Sequence, residues 1–269
     1  MTEFERIFGT RKPILGMVHF PPLPGSPLYN PATGMKTLRD IALRDTEALM
    51  KAGFDGVVFS NEGDRPYLST VAPVTVAAMA RLIAEASKLC DKPFGLSVLA
   101  DPEAAISVGT AVEADFVRIF LSWVFVGDWG IVDPCAGKLL RLKSSVHGNM
   151  KIVANISGHT EPLGGRKLED IARGAVKFGL AEAVCLAGTT AGSEIAEDDL
   201  KSARAGAEGV AVIAGTGVRT SNVERMLALA DGVIMGTSIK VDGNTFNPVD
   251  PARAKEFIAR ARDVRAQYK

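Results

Sequence analysis

Eight short apolar runs rich in Val, Ile and Phe recur along the chain, and longer segments with helical spacing separate them. They are ILGMVHF (14–20), GVVFSNE (56–62), FGLSVLA (94–100), FVRIF (116–120), KIVANIS (151–157), AVCLAG (183–188), VAVIAGTG (210–217) and GVIMGTSI (232–239). Their hydrophobicity is nearly continuous rather than alternating, the mark of strands covered on both faces, as in parallel sheets. Between the first two runs, residues 36–52 set Leu38, Ile41, Ala42 and Leu49 on one stripe and stop at Gly53, which suits a helix C-cap. Residues 75–90 repeat the spacing with Met79, Leu82, Ile83 and Leu89, and 168–178, 221–230 and 251–267 behave alike. Ser221, with Glu224 three positions on, predicts a capping box. Strands and helices alternating eight times over about 250 residues predict a (β/α)8 TIM barrel, α/β in class, as one domain over 1–269. An open doubly wound sheet is the rival, because periodicity does not report closure.

Charge narrows the partners. The 31 basic residues balance 31 acidic ones, so no net field draws nucleic acid or an anionic membrane surface. No apolar stretch reaches the eighteen or so residues of a membrane helix, and the acidic opening MTEFERIFGTRKP does not read as a secretory signal; a cytoplasmic protein is expected. Three dispersed cysteines, Cys90, Cys135 and Cys185, suit neither a disulfide framework nor a metal site, and are expected reduced, in or near the core.

In a barrel, AGTG follows the seventh strand and MGTS ends the eighth, both at the C-terminal face. Those two loops and a helix N-terminus often form one phosphate site, where backbone N–H groups point at the anion and glycine lets the chain come close. Gly215, Thr216 and Gly217 are the candidates on one side, and Gly236, Thr237 and Ser238 on the other; tight turns alone are the competing reading. Other strand ends are polar. His19 closes the first strand, either as a ligand contact or as a structural residue. Asn61 and Glu62 end the second, where a desolvated carboxylate serves as a general base, unless Glu62 only pairs with Arg118 or another cation. Asp101 stands before Pro102 as a catalytic acid or as the cap of the next helix. Arg118, inside the fourth strand, requires a partner: a carboxylate or the ligand. Asn155 turns polarity into the barrel, His159 follows, and Asp128 and Asp133 lie after the fourth strand, the second placed to cap a helix.

Four stretches together resemble the BtpA/SgcQ family: MVHFPPLPGSP (17–27), SNEGDRPY (60–67), GDWGIVDP (127–134) and ADGVIMGTSIKVDGNTFNPVDPARAKEF (230–257). The likeness runs over nearly the whole chain and implies a TIM barrel of the ribulose-phosphate-binding kind. One branch of that family is named for photosystem I accumulation; another sits beside sugar-utilisation proteins. The chain departs from the family pattern with SVLADP (97–102) after the third strand and NISGH (155–159) at the fifth, both at the site.

The function expected is proton transfer on a small phosphorylated sugar or sugar acid, by an isomerase, epimerase or aldolase-type lyase. Glu62, Asp101 and His159 are the candidate acid–base residues, and His19, Asn61, Arg118, Asp128, Asn155 and Lys240 the candidate substrate contacts, Lys240 beside the phosphate. No cofactor is predicted, and strand-end carboxylates leave only Mg²⁺ open. A homo-oligomer is expected by analogy with other barrels. The alternative is a non-catalytic assembly or regulatory barrel.

Overall fold

The structure, a computed structural model, describes residues 1–190 and 192–268. Its strands are β1 (Ile14–His19), β2 (Gly56–Ser60), β3 (Phe94–Ser97), β4 (Phe116–Phe120), β5 (Phe125–Gly127), β6 (Gly130–Val132), β7 (Lys151–Asn155), β8 (Thr160–Pro162), β9 (Ala183–Leu186), β10 (Ala211–Ala214) and β11 (Gly232–Met235). Its α-helices are α1 (Glu3–Phe8), α2 (Gly34–Ala52), α3 (Pro73–Ala86), α4 (Pro102–Ala111), α5 (Ala136–Ser145), α6 (Leu168–Lys177), α7 (Glu197–Gly206), α8 (Val223–Leu229) and α9 (Pro251–Arg265).

Eight parallel strands close in the order β1-β11-β10-β9-β7-β4-β3-β2, so the open-sheet alternative falls. The closing pair sets Ile14 against Val233 and Gly16 against Met235. Four strands stop before the polar tail of their apolar run: Glu62, Ser157 and Gly215–Gly217 leave the sheet as loops, and Gly236 leads into a single 3₁₀ turn at Thr237–Ile239. That early release brings the polar residues together at the C-terminal mouth.

The barrel interior is filled by Leu15, Val58, Phe116, Val153, Ile213 and Ile234. Gly95 makes room for Phe116, whose ring occupies the space a side chain there would need. Below it, α1 closes the N-terminal end. A capping box between Thr2 and Glu5 starts this helix, and it plants fully buried Phe4 edge-on against Phe116, ring centres 5.4 Å apart. Burying one such ring contributes about 1.5–3 kcal/mol. The helices pack outside; Leu49 of α2 lies so close to Gly16 that a Cβ there would stand 2.6 Å from its Cδ2.

Three local expectations are corrected. The cap of α8 is Asn222, not Ser221: Asn222 Oδ1 accepts from the Arg219 amide at 2.7 Å and Nδ2 donates to Gly217 O at 2.9 Å, while Ser221 is exposed. Asp133 is exposed and caps nothing, since α5 starts at Ala136 behind Cys135. Of the cysteines only Cys185 is buried; Cys135 is exposed. The antiparallel sheet β6-β5-β8, absent from the periodicity, folds over the mouth as a hairpin paired with the strand after β7.

Candidate active site

A cavity of about 270 Å³ opens at the C-terminal ends of the strands. Ligand clefts commonly span roughly 300–1,000 Å³, so this one suits a molecule of small-metabolite size. One wall is built from Gly215–Val218 and Gly236–Ser238. The hydroxyls of this wall are spent on the protein: Thr216 Oγ1 accepts from the Gly188 amide at 2.6 Å, Ser238 Oγ donates to Val218 O at 3.0 Å, and Thr237 and Thr245 share a hydroxyl bond of 2.7 Å. The amides of Gly217, Val218, Thr237 and Ser238 have no acceptor among the described residues. The wall therefore offers N–H donors knitted into place by side chains. Gly217 takes φ +69° against Ser193 O, a conformation and contact that favour glycine.

Opposed to these donors are groups that take protons. Glu62, just past β2, exposes 14 % of its side chain. Burial raises its carboxyl above the usual range, against opposing pulls from Arg118, Tyr67, Arg65 and Lys240. Tyr67 OH donates to Glu62 O at 3.0 Å and to Oε1 at 3.4 Å, fixing the carboxylate from one side. His19 Nε2 lies 4.0 Å from Glu62 Oε2, too far for a hydrogen bond. Its other nitrogen faces Thr245 O at 3.2 Å. Burial first, and then the Lys240 charge, depress the His19 imidazolium to about 3, so the ring is neutral in physiological conditions. A neutral ring whose Nδ1–H donates to Thr245 O turns the Nε2 lone pair to the cavity beside Glu62.

Arg118 rises from β4 onto the cavity floor, where its Nε donates to Asn155 Oδ1 at 2.7 Å. Its Nη2 would stand 3.1 Å from a Cβ at Gly215, so this glycine makes space for the guanidinium. His159, at φ 55° after β7, completes the lining; burial lowers its pKa, and Arg118 pushes the same way.

Of the residues singled out from the sequence, the cavity gathers His19, Glu62, Arg118, Asn155, His159 and the two glycine turns. Four lie elsewhere. Asp101 is buried outside the cavity lining and caps α4, one oxygen accepting from Ala104 N at 3.0 Å and the other from Val71 N at 2.8 Å. Asn61 is fully buried and braces loops, accepting from Leu99 N at 2.8 Å and donating to Asp64 at 3.2 Å. Asp128 is exposed in the β5–β6 turn and reaches the site only through its field on His159. Lys240 is corrected most: the short turn after β11 directs it away from the cavity to buried Asp45 of α2, at 3.3 Å. Sequence reading missed Tyr67, Trp129, Thr245, Arg219 and Arg253 in the lining, all carried by loops or a helix start that periodicity cannot aim. Among the described residues no group of three or more His, Cys, Asp or Glu is placed to hold a metal, and no helix is long and apolar enough to cross a membrane.

Comparison with known proteins gives a consistent placement. A family model described as the BtpA family matches residues 10–263. The chain is 35% identical to the sgc region protein SgcQ of Escherichia coli (strain K12) over 98% of this chain and 100% of that one. It is 31% identical to the photosystem I biogenesis protein BtpA of a Synechocystis species, over 95% of this chain and 90% of that one. Among solved structures, wild-type GGGPS from Thermoplasma volcanium aligns over 98% of both chains with a TM-score of 0.61 at 13% identity, a likeness of fold.

Proposed function

The chain belongs to the BtpA family, and on that premise we propose an enzyme that binds a small phosphorylated sugar or sugar acid and moves a proton beside its carbonyl, as an isomerase, epimerase or aldolase-type lyase. One observation carries the reading. A desolvated carboxylate, Glu62, lines the same small cavity as four residues after β10 and β11 whose backbone amides have no acceptor among the described residues. Oriented amides of this kind suit a phosphate, and a carboxyl with a raised pKa suits proton abstraction near neutral pH.

The amides of Gly217, Val218, Thr237 and Ser238 hold the phosphate and fix how far the sugar reaches across the cavity. Glu62 then takes the proton from the carbon next to the carbonyl. The C–H electron pair moves into the new carbon–carbon double bond, and the carbonyl electrons move onto oxygen. Arg118, with its Nη hydrogens free of protein acceptors among the described residues, faces the oxyanion. Glu62, now protonated, returns the proton to the neighbouring carbon while the hydroxyl proton passes from one enediolate oxygen to the other, which completes an isomerisation; return to the same carbon gives back the substrate with its proton exchanged. Neutral His19 accepts a substrate hydroxyl at Nε2 and neutral His159 donates to a substrate oxygen; neither adds a charge that would tie Glu62 into a salt bridge. Tyr67 keeps the carboxyl aimed inward.

The test is solvent exchange. The protein is incubated in D₂O with a panel of sugar phosphates and phosphorylated sugar acids, and loss of a carbon-bound proton is followed by NMR. The reading expects one class of compound to exchange with wild type and not with Glu62→Gln, while the variant still binds that compound. Exchange that survives Glu62→Gln removes Glu62 from the reaction. The relative named for photosystem I biogenesis favours a second reading, a non-catalytic assembly factor on the same barrel. That reading expects no exchange with any compound.

A further inference from the structure

Arg118 is a charge on the floor of the cavity that no carboxylate contacts among the described residues, though its field reaches Glu62. Among the described residues it stands in no ion pair, and its one hydrogen bond goes from Nε to a neutral amide oxygen of Asn155, at 2.7 Å. A guanidinium placed inside a barrel for structure alone ordinarily carries a carboxylate partner, because burying a charge against neutral groups is costly. The bond to Asn155 also fixes that side chain's orientation: Oδ1 is occupied, so Nδ2, a donor, is left for the cavity. The hydroxyls of Ser60 and Ser97 line the same floor and have no partner among the described residues. The cavity floor thus collects donors without acceptors, and these are separate from the amides of the phosphate wall. Glu62, the one carboxylate in the lining, is bonded to Tyr67 and lies outside ion-pair contact with Arg118.

We infer that the ligand carries a second anionic group, a carboxylate, which seats on Arg118 and Asn155. The substrate class is then a phosphorylated sugar acid or keto acid rather than a neutral phosphosugar. The geometry suits a carboxylate on two grounds. A guanidinium bound through Nε still presents its Nη hydrogens as a planar fork that matches a planar carboxylate. The amide wall already serves one anion, and with only Nε of Arg118 engaged, its Nη hydrogens can hold a second anion and still border the oxyanion formed beside it. The inference rests on the proposed phosphate-binding enzyme and sharpens its substrate. With the carboxylate anchored at the floor and the phosphate at the wall, the carbons between them lie across the cavity before Glu62.

Binding to matched pairs tests it by calorimetry. One pair is gluconate phosphorylated on its terminal carbon against glucose phosphorylated on the same carbon; the other is phosphoglycolate against glycolaldehyde phosphate; inorganic phosphate is the reference. The acid member of each pair should bind at least tenfold tighter. Arg118→Met should erase that preference and leave inorganic phosphate unchanged. Asn155→Asp, nearly isosteric, supplies Arg118 with an internal carboxylate and should erase the preference too, which guards against a methionine variant that fails to fold. Equal binding of acid and neutral members, with inorganic phosphate bound, overturns the inference and leaves the enzyme reading standing. A loss of inorganic phosphate in Arg118→Met matching the loss of acid also overturns it, since Arg118 would then serve the phosphate. Silence of every probe, inorganic phosphate included, overturns both.

Discussion

Removing the Asp45 carboxylate tests how the buried Lys240–Asp45 ion pair after β11 is built. Lys240 is fully buried, and Asp45 Oδ2, at 3.3 Å, is the partner of its Nζ among the described residues. Asp45 is better served, because Oδ1 also accepts from Nε and Nη2 of Arg44 at 3.1 and 3.0 Å. The two deletions are therefore unequal. In Lys240→Met, Asp45 keeps Arg44 and methionine fills the lysine's apolar track, so the cost falls near the lower end of the roughly 3–5 kcal/mol for a broken buried pair. In Asp45→Ala the ammonium stands unpaired and escapes by losing its proton. From an ordinary value of about 10.4 that costs at most about 4.6 kcal/mol at neutral pH, and the space left by the aspartate adds to it. A deficit of that size lowers Tm by roughly 10 °C for a chain near this length. The pH dependence has a definite sign. Burial already lowers the folded pKa of Lys240, and Asp45 opposes the lowering. Between the folded and unfolded values the unfolded chain holds more protons, so stability rises with pH there. Without Asp45 the folded value drops further, and the deficit of Asp45→Ala against wild type shrinks as pH climbs toward about 10. Urea melts followed by circular dichroism at neutral pH and near pH 9.5 read it directly. Equal losses for the two variants, or an Asp45→Ala deficit that stays constant with pH, would refute the reasoning.

Three further outcomes follow from the site. Glu62→Gln should slow proton exchange by about 10²–10⁴-fold, and the wild-type kcat/KM should rise with pH through a value above the ordinary carboxylate range, since burial raises Glu62 and its base form exists only above that value; initial rates across pH measure both. His19 is neutral in the fold down to about 3 but protonates near 6.5 when unfolded, so acid costs up to about 5 kcal/mol between those values. His19→Asn should flatten that part of the stability curve in denaturant melts. Gly217→Ala forces a side chain into φ +69° and into Ser193 O, so it should cost roughly 1–3 kcal/mol in the same melts and weaken phosphate binding through the displaced amides.

The barrel was legible because each strand is covered on both faces and writes a continuous apolar run, and the helices between write a 3.6 period. The sheet β6-β5-β8 was not: three residues per strand, broken by Gly127 and Gly130, fall below what periodicity can register. At the site, residues one or two positions past a strand were legible, because strand direction fixes where they emerge; Glu62 and Gly236 are examples, and His159 follows β7 by four positions. Asp101 and Lys240 were not separable from them by position. The first is claimed by the amides of α4 and of Val71, and the second is turned outward by the short turn at Thr237–Ile239. Local spacing cannot see Val71 or Asp45, because those partners come from other segments of the chain. Tyr67 and Thr245 fix Glu62 and His19 from long loops, which carry no period at all.

The central claim is that the loops after β10 and β11 bind phosphate. Thermal unfolding with a panel of sugar phosphates, each beside its unphosphorylated parent, tests it most directly. A ligand at about one hundred times its Kd adds about 2.7 kcal/mol, which raises Tm by roughly 5–10 °C. The account predicts that phosphorylated members raise Tm, that their parents do not, and that the shift is lost in Gly217→Ala. Parents and phosphates acting alike, or a panel silent together with inorganic phosphate, would contradict it.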